Sequence, residues 1–157
     1  MERVLLNNEL ELTCPEGFRV LSEEEMNKFS FPNEKPGCIL ENRDSHITVS
    51  LAWRPINGLL ALLVNVRELA QKMAQYVSEA DQPYDHRQSD CFTGSVAGEK
   101  SAGFDYHYKA QDIDMDGRAI VVKHRRTLYY MYFYSRSALR EPSLKLIDEI
   151  ISSMSFK

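Results

Sequence analysis

One segment near the carboxyl end, residues 127–134, constrains the fold more than any other part of the chain. Successive side chains of a strand point to opposite faces. Here both faces are apolar: one would carry Leu128, Tyr130, Tyr132 and Tyr134, and the other Tyr129, Met131 and Phe133. A strand that is apolar on both faces belongs inside a sheet with a covering layer on each side. We therefore predict a layered α+β domain with this strand in the middle of its sheet.

Further elements follow from apolar periodicity and from turn residues. Residues 4–12 predict a small hairpin that turns at Asn7-Asn8, since asparagine tolerates a positive φ. Ser22 and Glu25 have the spacing of a capping box, which predicts a short helix to about Phe29, ended by Pro32. The other predicted strands are residues 38–42, 46–54, 87–96, 100–110 and 118–125, and the central strand runs over residues 127–135.

Two longer helices are predicted to cover the sheet. The first begins at Asn57 or Asn65, ends at Ala80 and carries one apolar stripe. The second begins near Pro142, because proline is favoured in a first helical turn. Together the elements predict an antiparallel β-sheet of about six or seven strands sandwiched between helices. The chain of 157 residues has no linker-like segment, so we predict a single domain over residues 1–157.

Charge and cysteine content restrict the function classes. The formal net charge of −4 offers no overall attraction to nucleic acid or anionic lipid, so we expect neither nucleic-acid binding nor membrane insertion. Cys14, Cys38 and Cys91 are widely spaced and odd in number, which is typical of free thiols in a reducing compartment. No apolar segment of signal-peptide length follows Met1, and we therefore expect a cytoplasmic protein.

Two short stretches resemble a known superfamily. Residues 12–18 (LTCPEGF) look like an opening strand that runs into a Pro-x-Gly-aromatic turn, and residues 150–156 (IISSMSF) are similar to a closing helix that ends in Ser and an apolar residue. With the order of elements, they resemble the PsbP/Mog-type (DcrB-like) α/β/α sandwich. Its members include a photosystem II extrinsic subunit, a Ran-binding nucleotide-release factor, DcrB-like lipoproteins and chaperones for type VI secretion effectors. The resemblance implies a non-enzymatic protein that binds other proteins, and it assigns no functional residue.

Two segments approach ligand-binding motifs without completing them. Residues 112–117 match the first half of a calcium loop, but Lys123 stands where the loop needs its bidentate carboxylate. We expect an acidic hairpin turn there, with Asp116-Gly117 between two strands. Residues 94–101 resemble a phosphate-binding loop, but the glycine spacing is one residue short and Glu99 precedes the lysine. The four histidines are scattered, so we expect no metal site and no cofactor.

A catalytic alternative uses Asp105 and His107, which are two residues apart on a predicted strand and so share a face. Cys91 on a neighbouring strand could complete a thiol-dependent hydrolase. A second alternative is a carrier with a pocket for a small apolar ligand between the long helix and the sheet. Neither pattern is a recognised catalytic motif, and we expect that the chain is not an enzyme.

The segment from residue 53 to residue 64 is apolar nearly all round, whereas a helix packed on a sheet needs only one apolar stripe. Surplus apolar surface often marks a binding site. We therefore predict a non-catalytic protein-interaction module, a chaperone or adaptor for another protein, with a homodimer as the other option. The predicted partner-binding residues are Trp53, Arg54, Leu59, Leu60 and Leu63.

Overall fold

The computed structural model describes residues 1–28 and 35–157. Over these ranges the strands are β1 (Glu2–Leu6), β2 (Leu10–Cys14), β3 (Arg19–Val20), β4 (Cys38–Asn42), β5 (Ile47–Pro55), β6 (Arg87–Gln88), β7 (Phe92–Val96), β8 (Glu99–Ala110), β9 (Ile113–His124), β10 (Thr127–Arg136) and β11 (Ser155–Phe156). The helices are α1 (Glu23–Met26), α2 (Gly58–Leu63), α3 (Val66–Asp81) and α4 (Arg140–Ser152). None of these helices is long and apolar enough to cross a membrane.

Among the described residues, the main sheet has eight strands, and all their pairings are antiparallel. Its order is β3-β4-β5-β10-β9-β8-β6, with β7 pairing to β8 beside β6. The predicted α+β class with a covered antiparallel sheet is therefore confirmed. The sheet is larger than the predicted six or seven strands for two reasons. The two-residue strand β3 is too short to show an alternating pattern, and the predicted strand over residues 87–96 is divided into β6 and β7.

The central position of β10 agrees with its two apolar faces. Tyr129, Met131 and Phe133 are buried in a core cluster that includes Ile147 and Ile150 of α4. The other face packs against α3, in a cluster whose residues from α3 and β10 are Val66, Leu69, Ala70, Met73, Ala74, Val77, Tyr130, Tyr132 and Tyr134. The two predicted covering helices therefore lie on opposite faces of the sheet, as the sequence pattern of β10 requires.

Two local predictions at the amino end, a helix cap and a hairpin turn, are confirmed. Ser22 and Glu25 form the capping box of α1: the Glu25 N–H donates to Ser22 Oγ over 3.2 Å, and the Ser22 N–H donates to Glu25 Oε1 over 3.1 Å. The predicted end of this helix at Phe29 and Pro32 lies outside the described residues. In the first hairpin, Asn7 and Asn8 have φ values of 51° and 55°, as predicted.

The hairpin of β1 and β2 does not join the main sheet. It forms a separate three-stranded sheet with β11, which the sequence pattern did not reveal because β11 has only two residues. Leu10 and Leu12 are completely buried from this sheet into the core cluster on the α4 side. The amino and carboxyl ends of the chain are thereby paired with each other and packed on the same face.

The predicted hairpin turn at Asp116-Gly117 is wrong. The turn lies at Gln111 and Asp112, whose φ values are 50° and 65°, and Gly117 lies within β9. A Cβ atom at Gly117 would overlap the ring of Tyr106. The glycine therefore allows an aromatic ring to lie close to the backbone. In the sequence, such an Asp-Gly pair looks the same as one that forms a turn.

The predicted long helix is two helices, because both candidate asparagines are caps. Asn57 Oδ1 accepts the Leu60 N–H over 2.8 Å at the start of α2, and Asn65 Oδ1 accepts the Arg67 N–H over 2.9 Å at the start of α3. Between the two helices, Val64 is extended, with ψ at 127°. At the other end of the chain, α4 begins two residues before the predicted position at Pro142.

Candidate functional site

The helix α2 exposes an apolar surface at one end of the sheet. None of its residues is buried. The leucine surface, as we name it, consists of four side chains: Leu59, Leu60, Leu62 and Leu63, which are 70%, 47%, 84% and 71% exposed. Leu62 is the most exposed of the four and was not among the predicted contact residues, although the apolar run that contains it was visible in the sequence.

Polar contacts, and not burial of apolar side chains, hold α2 against the sheet. Lys123 Nζ donates a hydrogen bond of 2.5 Å to the carbonyl of Ala61, which supplies a cation to the carboxyl-terminal turn of the helix. The N–H of Ile56 donates to the carbonyl of Arg126 over 2.8 Å. The Arg126 guanidinium packs so closely on Gly58 that a Cβ atom there would lie 3.2 Å from it.

The other two predicted contact residues have different environments. Trp53 is half-buried against the core cluster on the α4 side, and its ring covers Gly37, where no side chain would fit. Arg54 is exposed, and its guanidinium carbon lies 5.7 Å from the centre of the Tyr130 ring. The predicted set is thus divided into a packed tryptophan, an exposed arginine and exposed leucines.

The three residues of the catalytic alternative are not brought together. Cys91 packs against the cluster on the α3 side of the sheet. Asp105 and His107 point to the opposite face, where Arg118 Nε donates to Asp105 over 2.8 Å and His107 Nε2 lies 3.2 Å from Asp114. Burial raises the pKa of the Cys91 thiol, so its nucleophilic thiolate form is disfavoured at neutral pH.

A cleft of about 340 Å³ lies between α4 and the edge of the sheet. Arg118 spans it from β9, with ion pairs of 2.8 Å to Asp105 on β8 and 3.3 Å to Asp148 on α4. Phe133, Leu144 and Ile147 are among its apolar lining residues. The ion pairs of Arg118 with carboxylates on β8 and α4 form a polar seam that holds α4 against the sheet.

Asp116 belongs to the same seam. Its carboxylate accepts hydrogen bonds of 2.7 Å from Arg140 Nε and 2.7 Å from Ser137 Oγ. Burial would raise the pKa of Asp116, but the hydrogen bonds from Arg140 and Ser137 outweigh it and hold the pKa below its usual value. Asp116 therefore anchors the start of α4, whereas the sequence pattern predicted that it lies in an acidic hairpin turn.

The space between α3 and the sheet is filled by apolar side chains, including Met73 and Phe104. The open pocket beside it has a mostly polar lining, to which Arg67, Gln71 and Gln75 contribute. An apolar ligand of the kind considered from the sequence would meet polar groups there. In residues 1–28 and 35–157, no three His, Cys, Asp or Glu side chains are grouped closely enough to hold a metal ion.

Comparison with solved structures shows the fold. The chain aligns over 99% of its length with 92% of cyanobacterial PsbP (CyanoP) from Synechocystis sp. PCC 6803, at a TM-score of 0.73 and 14% identity. It aligns over 94% of its length with 83% of LpqN from Mycobacterium tuberculosis, at a TM-score of 0.60 and 8% identity. A protein from Bacteroides thetaiotaomicron gives a TM-score of 0.66 at 8% identity, and the chain covers 48% of it.

The chain therefore has the PsbP-like fold, in agreement with the resemblance found in its sequence. Sequence comparisons give no match: no protein-family model matches the chain, and no curated protein matches it significantly.

Proposed function

We propose that this chain is a non-catalytic protein-interaction module, a chaperone or adaptor, that binds another protein through the leucine surface. The observation that carries the proposal is that α2 buries none of its six residues and yet exposes four leucines. Burying one leucine side chain contributes roughly 1.5–3 kcal/mol. A partner that covers these side chains therefore gains stabilisation that the isolated chain forgoes.

The attachment of α2 supports the same function. A helix of this length is unstable in isolation. Its asparagine cap and the hydrogen bond from Lys123 hold it in a defined position without apolar cover. A preorganised apolar surface loses less conformational entropy on binding than a flexible loop does.

The similar structures agree with a non-catalytic role. LpqN from M. tuberculosis is involved in cell envelope biogenesis. Cys14, Cys38 and Cys91 are free thiols, which supports placing the protein in the reducing environment of the cytoplasm.

The first experiment substitutes the two most exposed adjacent leucines, Leu62→Asp with Leu63→Asp. We expect the double variant to keep its melting temperature, because neither side chain contributes to the core. We also expect it to lose the proteins that the wild type captures from native lysate, because a charged group would be desolvated in the interface.

The control is Ile113→Asp, which places one aspartate on an aliphatic residue that is 38% exposed at the other end of β9. This variant should capture the wild-type set of proteins. The proposal is wrong if the double variant retains those proteins, or if the control loses them equally.

A further inference from the structure

The strand β7 lies at one side of the main sheet, and we call its outer side the open edge. Among the described strands, β7 pairs with β8 alone. Phe92, Thr93, Gly94 and Ser95 are exposed, and only Val96 at the end of the strand is buried. An edge strand presents a row of backbone N–H and C=O groups with which another chain can pair.

The turn after β7 determines which backbone groups point outward. Ala97 and Gly98 form a two-residue hairpin loop, with φ values of 54° and 83°. Such a loop closes with a hydrogen bond between its flanking residues, so Val96 directs its N–H and C=O toward β8. Since these directions alternate along an antiparallel strand, Thr93 and Ser95 direct theirs outward. In the described part of the chain, no backbone hydrogen bond outside the strand pairing involves them.

Charge distinguishes the open edge from other edges of the two sheets. Three other edge strands contain charged residues: Glu2 and Arg3 in β1, Arg19 in β3 and Arg87 in β6. A charged side chain on an edge discourages another chain from pairing there. By contrast, residues 91–98, which include all of β7, contain no charged side chain. The open edge therefore offers five residues of strand without this protection.

The side chains of β7 are ordered so that two copies of the strand match each other. Val96 belongs to the core cluster on the α4 side of the sheet. Phe92 and Gly94 lie on that side by alternation, and Thr93 and Ser95 lie on the α3 side. Antiparallel pairing about a two-fold axis at Gly94 places Phe92 opposite Val96 of the second copy, and Thr93 opposite Ser95. Aromatic with β-branched residues, and threonine with serine, are favourable cross-strand pairs.

We infer that the open edge of β7 binds a second copy of this chain, in antiparallel register about Gly94. In this dimer, Thr93 of each copy exchanges both backbone hydrogen bonds with Ser95 of the other. A two-fold contact brings the same surface of both copies together, and an uncharged surface meets no repulsion there. A different protein gains no specificity from complementary charge at this edge, which favours the second copy.

The dimer leaves the leucine surface free. The helix α2 follows β5, and β10, β9 and β8 lie between β5 and β7 in the sheet. The usual spacing of strands makes this separation about 19 Å. The inference therefore does not depend on the proposed function, and the dimer presents two leucine surfaces.

Sedimentation equilibrium over a range of protein concentrations measures the association. We expect a monomer–dimer equilibrium, because a contact along five residues is smaller than the interface of a permanent dimer. Ser95→Pro should weaken the dimer at least about tenfold, because it removes an N–H that donates to the second copy and none that donates to β8. Ser95→Ala is the matched control: it keeps the backbone donor and should associate like the wild type.

A disulfide tests the register. In a Cys91→Ala background, which leaves only buried cysteines, Gly94→Cys places one thiol of each copy at the axis. The Cα atoms of such opposed residues lie about 4.5 Å apart, within reach of a disulfide, so mild oxidation should give a covalent dimer. A Cβ atom at Gly94 lies 3.6 Å from Ser101 Oγ, so the side chain fits. The control Lys100→Cys is exposed on β8, about 14 Å from its copy, and should stay monomeric under the same oxidation.

Each outcome supports or overturns the dimer. A monomer at every concentration, equal association of the Ser95→Pro and Ser95→Ala variants, or equal cross-linking of Gly94→Cys and Lys100→Cys would overturn it. A dimer lost in the variant Leu62→Asp with Leu63→Asp would place the second copy on the leucine surface and overturn the open edge. Melting temperatures establish that each variant is folded, and the disulfide decides if Ser95→Pro unfolds. Native partners retained by the leucine variant would overturn the proposed function and leave the dimer intact.

Discussion

At Gly117 the lack of a side chain lets the ring of Tyr106 lie directly on the backbone of β9. The ring has no room to move away, because Tyr106 is buried between Phe104 and Tyr108, with ring centres 5.6 and 5.8 Å apart. Gly94, on β7, has the opposite environment. The nearest atom to a Cβ placed there would be Ser101 Oγ at 3.6 Å, which is ordinary contact.

The prediction at this scale compares alanine at the two glycines. Gly117→Ala should lower the free energy of unfolding by about 1–3 kcal/mol, because the methyl group overpacks a site that cannot relax. Gly94→Ala should change it by no more than about 0.5 kcal/mol, because the position is exposed. Urea unfolding measures both. If the two substitutions lower the free energy of unfolding equally, the packing of the Tyr106 ring does not depend on the absence of a side chain at Gly117.

The helices α2 and α3 begin with the same chemistry but differ in what they bury. Asn57 and Asn65 each accept a backbone N–H of the first turn through Oδ1. The α3 helix places Ala70, Met73 and Val77 in the core, whereas α2 buries nothing. A cap contributes to global stability only when the helix that it stabilises is coupled to the core.

The prediction at this scale is a pair of cap substitutions. Asn65→Ala should lower the free energy of unfolding by about 1 kcal/mol. Asn57→Ala should leave the global value unchanged and instead accelerate hydrogen exchange at the amides of Ala61 and Val64, whose acceptors lie within or just before α2. If Asn57→Ala lowers the unfolding midpoint of the whole protein as much as Asn65→Ala does, α2 is part of the cooperative core.

Over the part of the chain that the structure describes, the two largest core clusters lie on opposite faces of one sheet and share the backbones of β9 and β10. The chain has one tryptophan, Trp53, which packs against the cluster on the α4 side. Met73 on α3 is buried in the other cluster. Shared strands should make the two clusters unfold together, as expected for one domain of this size.

The prediction at this scale uses a change on one face and a probe on the other. Met73→Ala should cost about 2–5 kcal/mol through the cavity that it leaves. The unfolding midpoints measured by Trp53 fluorescence and by far-ultraviolet circular dichroism should both fall, and by the same amount. If Met73→Ala lowers the second midpoint and leaves the first in place, the chain contains two independently folding units.

Local patterns were sufficient for much of the fold. Alternation in β10 predicted a central strand with two covered faces, and Asn7, Ser22, Asn57 and Asn65 marked their turn and caps, because these features depend on neighbours in sequence. The apolar excess in residues 59–64 marked Leu59, Leu60 and Leu63 as candidate contact residues, but the sequence did not decide whether this segment is exposed. The two-residue strands carried no periodic signal, and Asp116-Gly117 suggested a turn because sequence spacing does not show which ring approaches a glycine.

The sequence by itself determined the class of fold and the apolar excess of residues 53–64, because periodicity and composition are properties of the chain alone. Only the tertiary structure decided which groups meet. It separated Cys91 from Asp105 and His107 by placing them on opposite faces of the sheet. It also brought the turn at Arg125 and Arg126 to the leucines of α2, because β5 pairs with β10, which lies about 70 residues away in the sequence. Contacts over such distances depend on strand order, which no local pattern encodes.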